Sequence, residues 1–143
     1  MRIYLDSCCY NRPFDALNQE RIRLEAEAVL AILDSDYEKV SCEPLFSEIA
    51  AITNREKRER VSSLLTITTR VEIDASYFAT RTAEIASLGF RPMDAAHLAC
   101  AELASADWFL STDDLLIRRA TRLSSSLKVA VANPSQWVLT HPV

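Results

Sequence analysis

Four carboxylates at separated points of the chain are the residues on which chemistry could rest. Asp6 follows the short apolar run Ile3-Tyr4-Leu5, Glu48 comes soon after Pro44, Asp94 follows Pro92, and Asp113 follows Trp108-Phe109-Leu110. Carboxylates brought together repel one another, and without a cation some of them must take up protons. Hard divalent cations such as Mg2+ and Mn2+ relieve that repulsion by accepting oxygen ligands, and they leave positions for water and phosphate. Two such ions about 4 Å apart can activate a water and stabilise the leaving oxygen of a phosphodiester. No histidine or cysteine nucleophile is required. The chain has two histidines, His97 and His141, and no Ser-His-Asp set stands out.

The same acids also have structural readings. Twenty Asp and Glu in 143 residues put an acid near almost any strand end by chance. Asp94 and Asp113 stand where helix N-termini favour negative charge. Glu48 is one acid on a helix that could simply face water. Asp6 is harder to explain this way, since no helix clearly begins there. Asp114 competes with Asp113, which is nearer the strand end.

To position these acids, the chain reads as alternating short strands and helices. Ile3-Tyr4-Leu5 reads as a strand, broken by Asp6 and the polar Asn11-Arg12-Pro13 loop. From Arg21 to about Leu33 the apolar residues Ile22, Ala26, Val29 and Leu33 fall at helical spacing, with Arg21, Arg23, Glu25 and Glu27 among the charges. Val40-Ser41-Cys42 is a second strand, and Pro44 suits the first turn of a helix carrying Glu48, Ile49 and Ile52. The mixed-charge run Arg55–Arg60 is a solvated helix face. Val71-Glu72-Ile73 is a third strand, followed by a helix from about Ala75 to Leu88. Gly89, the only glycine, then sits at a helix C-cap. Pro92 opens a further helix. Trp108-Phe109-Leu110 is a strand, Asp113 to about Leu123 a helix, and Val129-Ala130-Val131 a final buried strand.

Strands separated by helices imply parallel pairing, hence a three-layer α/β/α sandwich on a short, mainly parallel sheet. In such sheets chemistry collects at the carboxyl ends of the strands, where strand order reverses. Asp6, Glu48, Asp94 and Asp113 could all meet there. Length agrees with one domain over residues 1–143, because compact domains mostly run to about 100–150 residues. One glycine and five prolines are too few for the many tight turns of an all-β fold. A net charge of −4 argues against a bulk electrostatic binder of nucleic acid, but not against a site that meets phosphate through metal ions. The four cysteines form no CxxC pair, so zinc-site spacing is absent. MRIYLDSC reaches Asp6 before any apolar stretch long enough for a signal peptide, and no run approaches the 18 or so residues of a membrane span. The expected location is the cytoplasm, with reduced thiols.

The opening MRIYLDSCCYNRPFD resembles that of PIN-domain proteins, especially a bacterial subgroup beginning Leu-Asp-x-x-x-x-Asn-Arg-Pro. The likeness continues through Ser47-Glu48-Ile49, Pro92-Met93-Asp94-Ala95-Ala96-His97-Leu98-Ala99 and Leu110-Ser111-Thr112-Asp113-Asp114. These four blocks span nearly the whole chain in the family's order. The resemblance implies that Asp6, Glu48, Asp94 and Asp113 match the family's acidic quartet, which binds Mg2+ or Mn2+ for endoribonuclease cleavage. It further implies a VapC-like toxin that cuts RNA, forms a homodimer and is silenced by a cognate antitoxin. Cys8 and Cys9 depart from the Ser or Thr common near the first acid, and the fourth block ends Asp-Asp where Asn-Asp is commoner.

Smaller expectations attach to other residues. Asn11 and Arg12 could contact a substrate phosphate, since Arg offers a planar donor fork, or could simply order the loop before Pro13. His97, three residues after Asp94, can share its helix face as a core or supporting histidine. Arg118, Arg119 and Arg122 could steer RNA or form a solvated face. Cys42 and Cys100 read as small buried apolar residues. A haloacid-dehalogenase-type phosphatase would want a second Asp where Cys8 stands. A receiver domain would want an acidic pair at the first strand and a Lys ending the last. The remaining rival is a PIN-like module that holds metal or RNA without turnover.

Overall fold

The computed structural model describes residues 1–143. The elements run β1 (Arg2–Leu5), α1 (Ser7–Asn11), a 3₁₀ turn (Arg12–Phe14), α2 (Glu20–Asp34), β2 (Glu38–Ser41), α3 (Glu43–Ala50), α4 (Arg55–Leu65) and β3 (Thr69–Arg70). They continue with α5 (Ala75–Ser87), α6 (Pro92–Leu103), β4 (Trp108–Leu110), α7 (Asp114–Arg122), a second 3₁₀ turn (Ser124–Ser126), β5 (Ala130–Ala132) and α8 (Pro134–Trp137). The five strands form one sheet in the order β3-β2-β1-β4-β5, every pairing parallel. From β1 the chain builds outward through β2 to β3, then returns to place β4 on the other side of β1. The strand order therefore reverses between β1 and β4, where open α/β sheets place their crevice. No helix is long and apolar enough to cross a membrane.

Both faces of the sheet are covered, as parallel sheets require. Successive strand side chains point to opposite faces. Tyr4 and its register partner Phe109 stack at 5.4 Å on the face carrying α6, where Tyr4 also meets His97. Trp108, one residue earlier, points the other way, toward Trp137 of α8 at 6.3 Å, and Tyr37 closes on the same indole. The fully buried Ile3, Leu5, Ile32, Leu45, Leu98 and Leu110 fill the layers.

Several local expectations shift. A helix does begin after the first strand: Asp6 caps α1, its Oδ1 accepting the Ser7 N–H at 2.8 Å. The third strand is Thr69–Arg70 rather than Val71–Ile73. The Val71 N–H still reaches the Ser41 carbonyl at 2.8 Å, after which the chain turns so that Asp74 can cap α5. Val71 and Ile73 pack against the core from the loop. The last strand is Ala130–Ala132 and is not buried; it is an edge that pairs only with β4, and Val129 just before it is the buried residue. Helix α8, with the buried Trp137, was not foreseen. Gly89 follows the α5 C-cap at φ +105, where an L side chain is strained.

Candidate metal centre

The reversal between β1 and β4 puts two chain exits side by side. Beyond β1 the Asp6 N–H donates to the Leu110 carbonyl at 2.9 Å, so Asp6 extends the ladder past the strand end. Its carboxylate is 6% exposed. Oδ1 caps α1, while Oδ2 accepts the Ser111 hydroxyl at 3.0 Å and lies 3.5 Å from Cys8 Sγ. Burial pushes the Asp6 pKa up, and the charges of Glu48 and Asp94 push the same way; His97 and the Ser111 hydrogen bond oppose it.

Two hydrogen-bonded arms run out from Asp6. On one side the Ser7 hydroxyl donates to Glu48 Oε1, and Glu48 Oε2 meets His97 Nε2 at 2.9 Å. The other ring nitrogen, Nδ1, lies 2.7 Å from the hydroxyl of Tyr4. Burial drives the Tyr4 pKa well up, so the phenol keeps its proton and donates to Nδ1. A neutral ring then carries its proton on Nε2 and donates to Glu48, and every polar atom in the arm is satisfied. Burial lowers the His97 pKa, but the Glu48 hydrogen bond and the Asp6 charge outweigh it and raise the pKa overall. The same His97 contact holds the Glu48 carboxyl below its ordinary pKa, against partial burial. On the other side the Ser111 hydroxyl oxygen accepts the Asp113 N–H at 3.1 Å. Asp113 Oδ1 caps α7 through Leu115 and Leu116, and its Oδ2 receives Arg91 Nη2 at 2.6 Å. Arg91 Nε reaches back to Asp94 Oδ2 at 3.1 Å.

The four expected acids thus stand on one connected network at the carboxyl edge of the sheet. Whether they suit a divalent ion turns on the donor set. Ligand atoms of Asp6, Glu48 and His97 lie within 4.8 Å of one another. Asp6 is a nearly buried carboxylate among other carboxylates, contacted directly only by hydroxyl, thiol and amide groups, so its charge lacks a cation in contact. Carboxylate oxygens with no thiolate among them are the donors that Mg2+ and Mn2+ prefer. Both nitrogens of His97 are already engaged, so it orients Glu48 rather than offering a free ligand atom. The residues fit the ion.

The family model named PIN domain matches residues 3–122. The chain belongs to the PIN domain family. Two solved structures share the PIN fold with it. One is VapBC2 from Rickettsia felis bound to a DNA fragment from its promoter, at TM-score 0.60 and 11% identity, covering 93% of this chain and 98% of that one. The other is VapBC-1 from nontypeable Haemophilus influenzae, at TM-score 0.59 and 12% identity, covering 94% and 99%. No curated protein sequence matches the chain.

Within this PIN domain, Asn11 and Arg12 make no hydrogen bond or ion pair with the four acids. Asn11 Nδ2 donates to the Ser7 carbonyl at 3.1 Å, inside α1. Arg12 is spent on internal ion pairs, Nε to Glu25 and Nη1 to Asp15, both at 2.9 Å. Asp114 is likewise engaged elsewhere, in a two-pronged pair with Arg21 at 2.7 and 2.8 Å, while Asp113 shares Arg91 with Asp94. Glu25, one of the charges carried by the amphipathic helix α2, is fully buried. It holds Arg12, Arg21 at 3.4 Å and Asn133 at 2.5 Å, tying α2 to the 3₁₀ turn and to the start of α8. Sequence reasoning missed Ser7, Ser111 and Arg91 as parts of the site. Their only local signal was adjacency to an expected acid or, for Arg91, to Pro92.

Proposed function

We propose that this PIN domain is a Mg2+- or Mn2+-dependent endoribonuclease, the toxin half of a toxin–antitoxin pair. The observation that carries the reading is the convergence of Asp6, Glu48, Asp94 and Asp113, from four distant segments, on one network where strand order reverses. Membership of the family and the likeness to two VapBC structures support the toxin assignment with an antitoxin as partner; a homodimer in the cytoplasm completes the proposal.

When bound, the divalent ion supplies a Lewis acid that polarises water and neutralises charge on the phosphodiester. Asp6, Asp94 and Asp113 would hold it, with Glu48 completing the set or orienting the attacking water. Ser7 and Ser111 keep both oxygens of Asp6 in place, so its carboxylate does not reorganise when charge develops. His97, fixed by Tyr4, sets the direction of the Glu48 carboxylate in the same way.

The test is cleavage of a mixed RNA pool by purified protein in Mn2+, Mg2+ or EDTA, beside Asp6→Asn prepared identically. Metal-dependent cutting by the wild type alone is the expected result. Cutting by the variant at the wild-type rate would sink the assignment. Metal binding without cutting in either protein would favour a PIN module that binds without turnover.

A further inference from the structure

Arg91 is the one Lys or Arg side chain that contacts any of the four acids, and the proposed chemistry gives it no role. Its backbone is held extended at φ −62 and ψ 151 by the following Pro92 and by the start of α6. Its side chain is 67% exposed, and its fork is divided between Asp94 and Asp113. The location is unusual for a cation. Arg91 is the N-cap of α6, and it contacts the N-cap of α7. Helix N-termini carry partial positive charge and favour anions. The guanidinium is therefore held against two unfavourable helix ends by the two carboxylates alone, through ion pairs exposed enough to be weak and easily exchanged.

A divalent ion taking Asp94 and Asp113 removes that attraction and adds repulsion. The released fork would then stand at the rim of the site, still tethered at Pro92, with its paired N–H donors open. A phosphate oxyanion is the partner such a fork matches best. We propose that Arg91 is an exchangeable cation of this site, paired with Asp94 and Asp113 without metal and with a phosphate of the RNA strand when metal is bound. It is thus a positioning residue for substrate and a competitor of the metal. The inference rests on the metal-dependent ribonuclease reading above.

The experiment compares wild type, Arg91→Gln and Arg91→Lys in two titrations. In the first, Mn2+ binding is measured calorimetrically without RNA. Arg91→Gln should bind Mn2+ about threefold tighter or more, because its competitor is gone, and Arg91→Lys should fall between the two. In the second, steady-state cleavage of single-stranded RNA is followed at saturating Mn2+ over a range of KCl. Arg91→Gln should raise KM several-fold with a smaller change in kcat. The slope of log(1/KM) against log[KCl] should become shallower by about 0.7, the contribution of one phosphate contact on a single strand. Arg91→Lys should restore that slope. A glutamine variant that matches wild type in either titration overturns the exchange while leaving the ribonuclease reading standing. Absence of Mn2+ binding by all three proteins overturns the metal reading and the exchange with it.

Discussion

Asp6 carries two duties that pull in opposite directions. It caps α1 and anchors Ser111, which favours a fixed hydrogen-bond acceptor; it is also buried near Glu48 and Asp94, which disfavours its charge. Asparagine keeps an acceptor for the cap and removes the charge. Asp6→Asn is therefore expected to abolish cleavage while melting at or above the wild-type temperature in EDTA, since like-charge repulsion in the metal-free cluster is relieved. A large drop in melting temperature would mean that the charge itself serves the fold. Arg12 gives the opposite contrast. It is the close ion-pair partner of the fully buried Glu25, and Arg12→Ala leaves that carboxylate with only Arg21 at 3.4 Å and Asn133. The expected loss is about 3 kcal/mol in urea denaturation, the low end for stranding a buried charge. Unchanged stability would return Arg12 to the pool of surface residues that could meet substrate.

At the scale of the element, the start of α7 is where the proposed ligand role of Asp113 meets a structural one. Asp113 Oδ1 accepts the Leu115 and Leu116 N–H groups, and Oδ2 faces Arg91. The two roles separate by substitution. Asp113→Ala should cost about 1 kcal/mol of stability through the lost cap, whereas Asp113→Asn should stay within a few tenths of a kcal/mol, because Asn caps as well as Asp. Both should bind Mn2+ more weakly than wild type in calorimetry. If Asp113→Asn binds Mn2+ like the wild type, the residue is a cap and not a ligand. Helix α6 divides its work by position along the axis. Its first turn carries Asp94, the next turn His97, and beyond them Leu98, Ala99, Cys100 and Ala101 are buried in the core. The packing that fixes the helix thus also fixes the half-buried Asp94 and the buried His97 in its first two turns.

For the whole molecule, the site is a point where the fold stores repulsion that a ligand can remove. The acids come from the end of β1, from α3, from α6 and from the end of β4, so they are together only in the folded state. An ion that binds them stabilises that state by mass action, by about 2.7 kcal/mol when its free concentration is a hundred times Kd. Mn2+ at millimolar concentration should raise the melting temperature of the wild type, EDTA should reverse the shift, and Asp6→Asn should show little of it. No shift in the wild type would count against the cluster as a metal site.

Much of the architecture was legible because its causes are local. Helical spacing in α2, Pro92 at the start of α6 and the apolar run Trp108–Leu110 each act over a few residues, and strands alternating with helices imply a parallel sheet. Asp6 and Asp113 could be placed at strand ends for the same reason. What a local pattern does not show depends on partners far along the chain. Glu25 looks like any surface acid of an amphipathic helix until Asn133, 108 residues later, closes over it. Glu48 looks solvated until Ser7 and His97 reach it, and Arg91 looks like an ordinary surface arginine until Asp113 arrives from 22 residues on. The sequence by itself determined which residues could be ligands and that two of them, Asp6 and Asp113, would follow strands while Glu48 and Asp94 would ride on helices. Only the tertiary structure decided that the strand order reverses between β1 and β4, because that follows from how the whole sheet packs and not from any local pattern, and it is this reversal that brings the acids to one place.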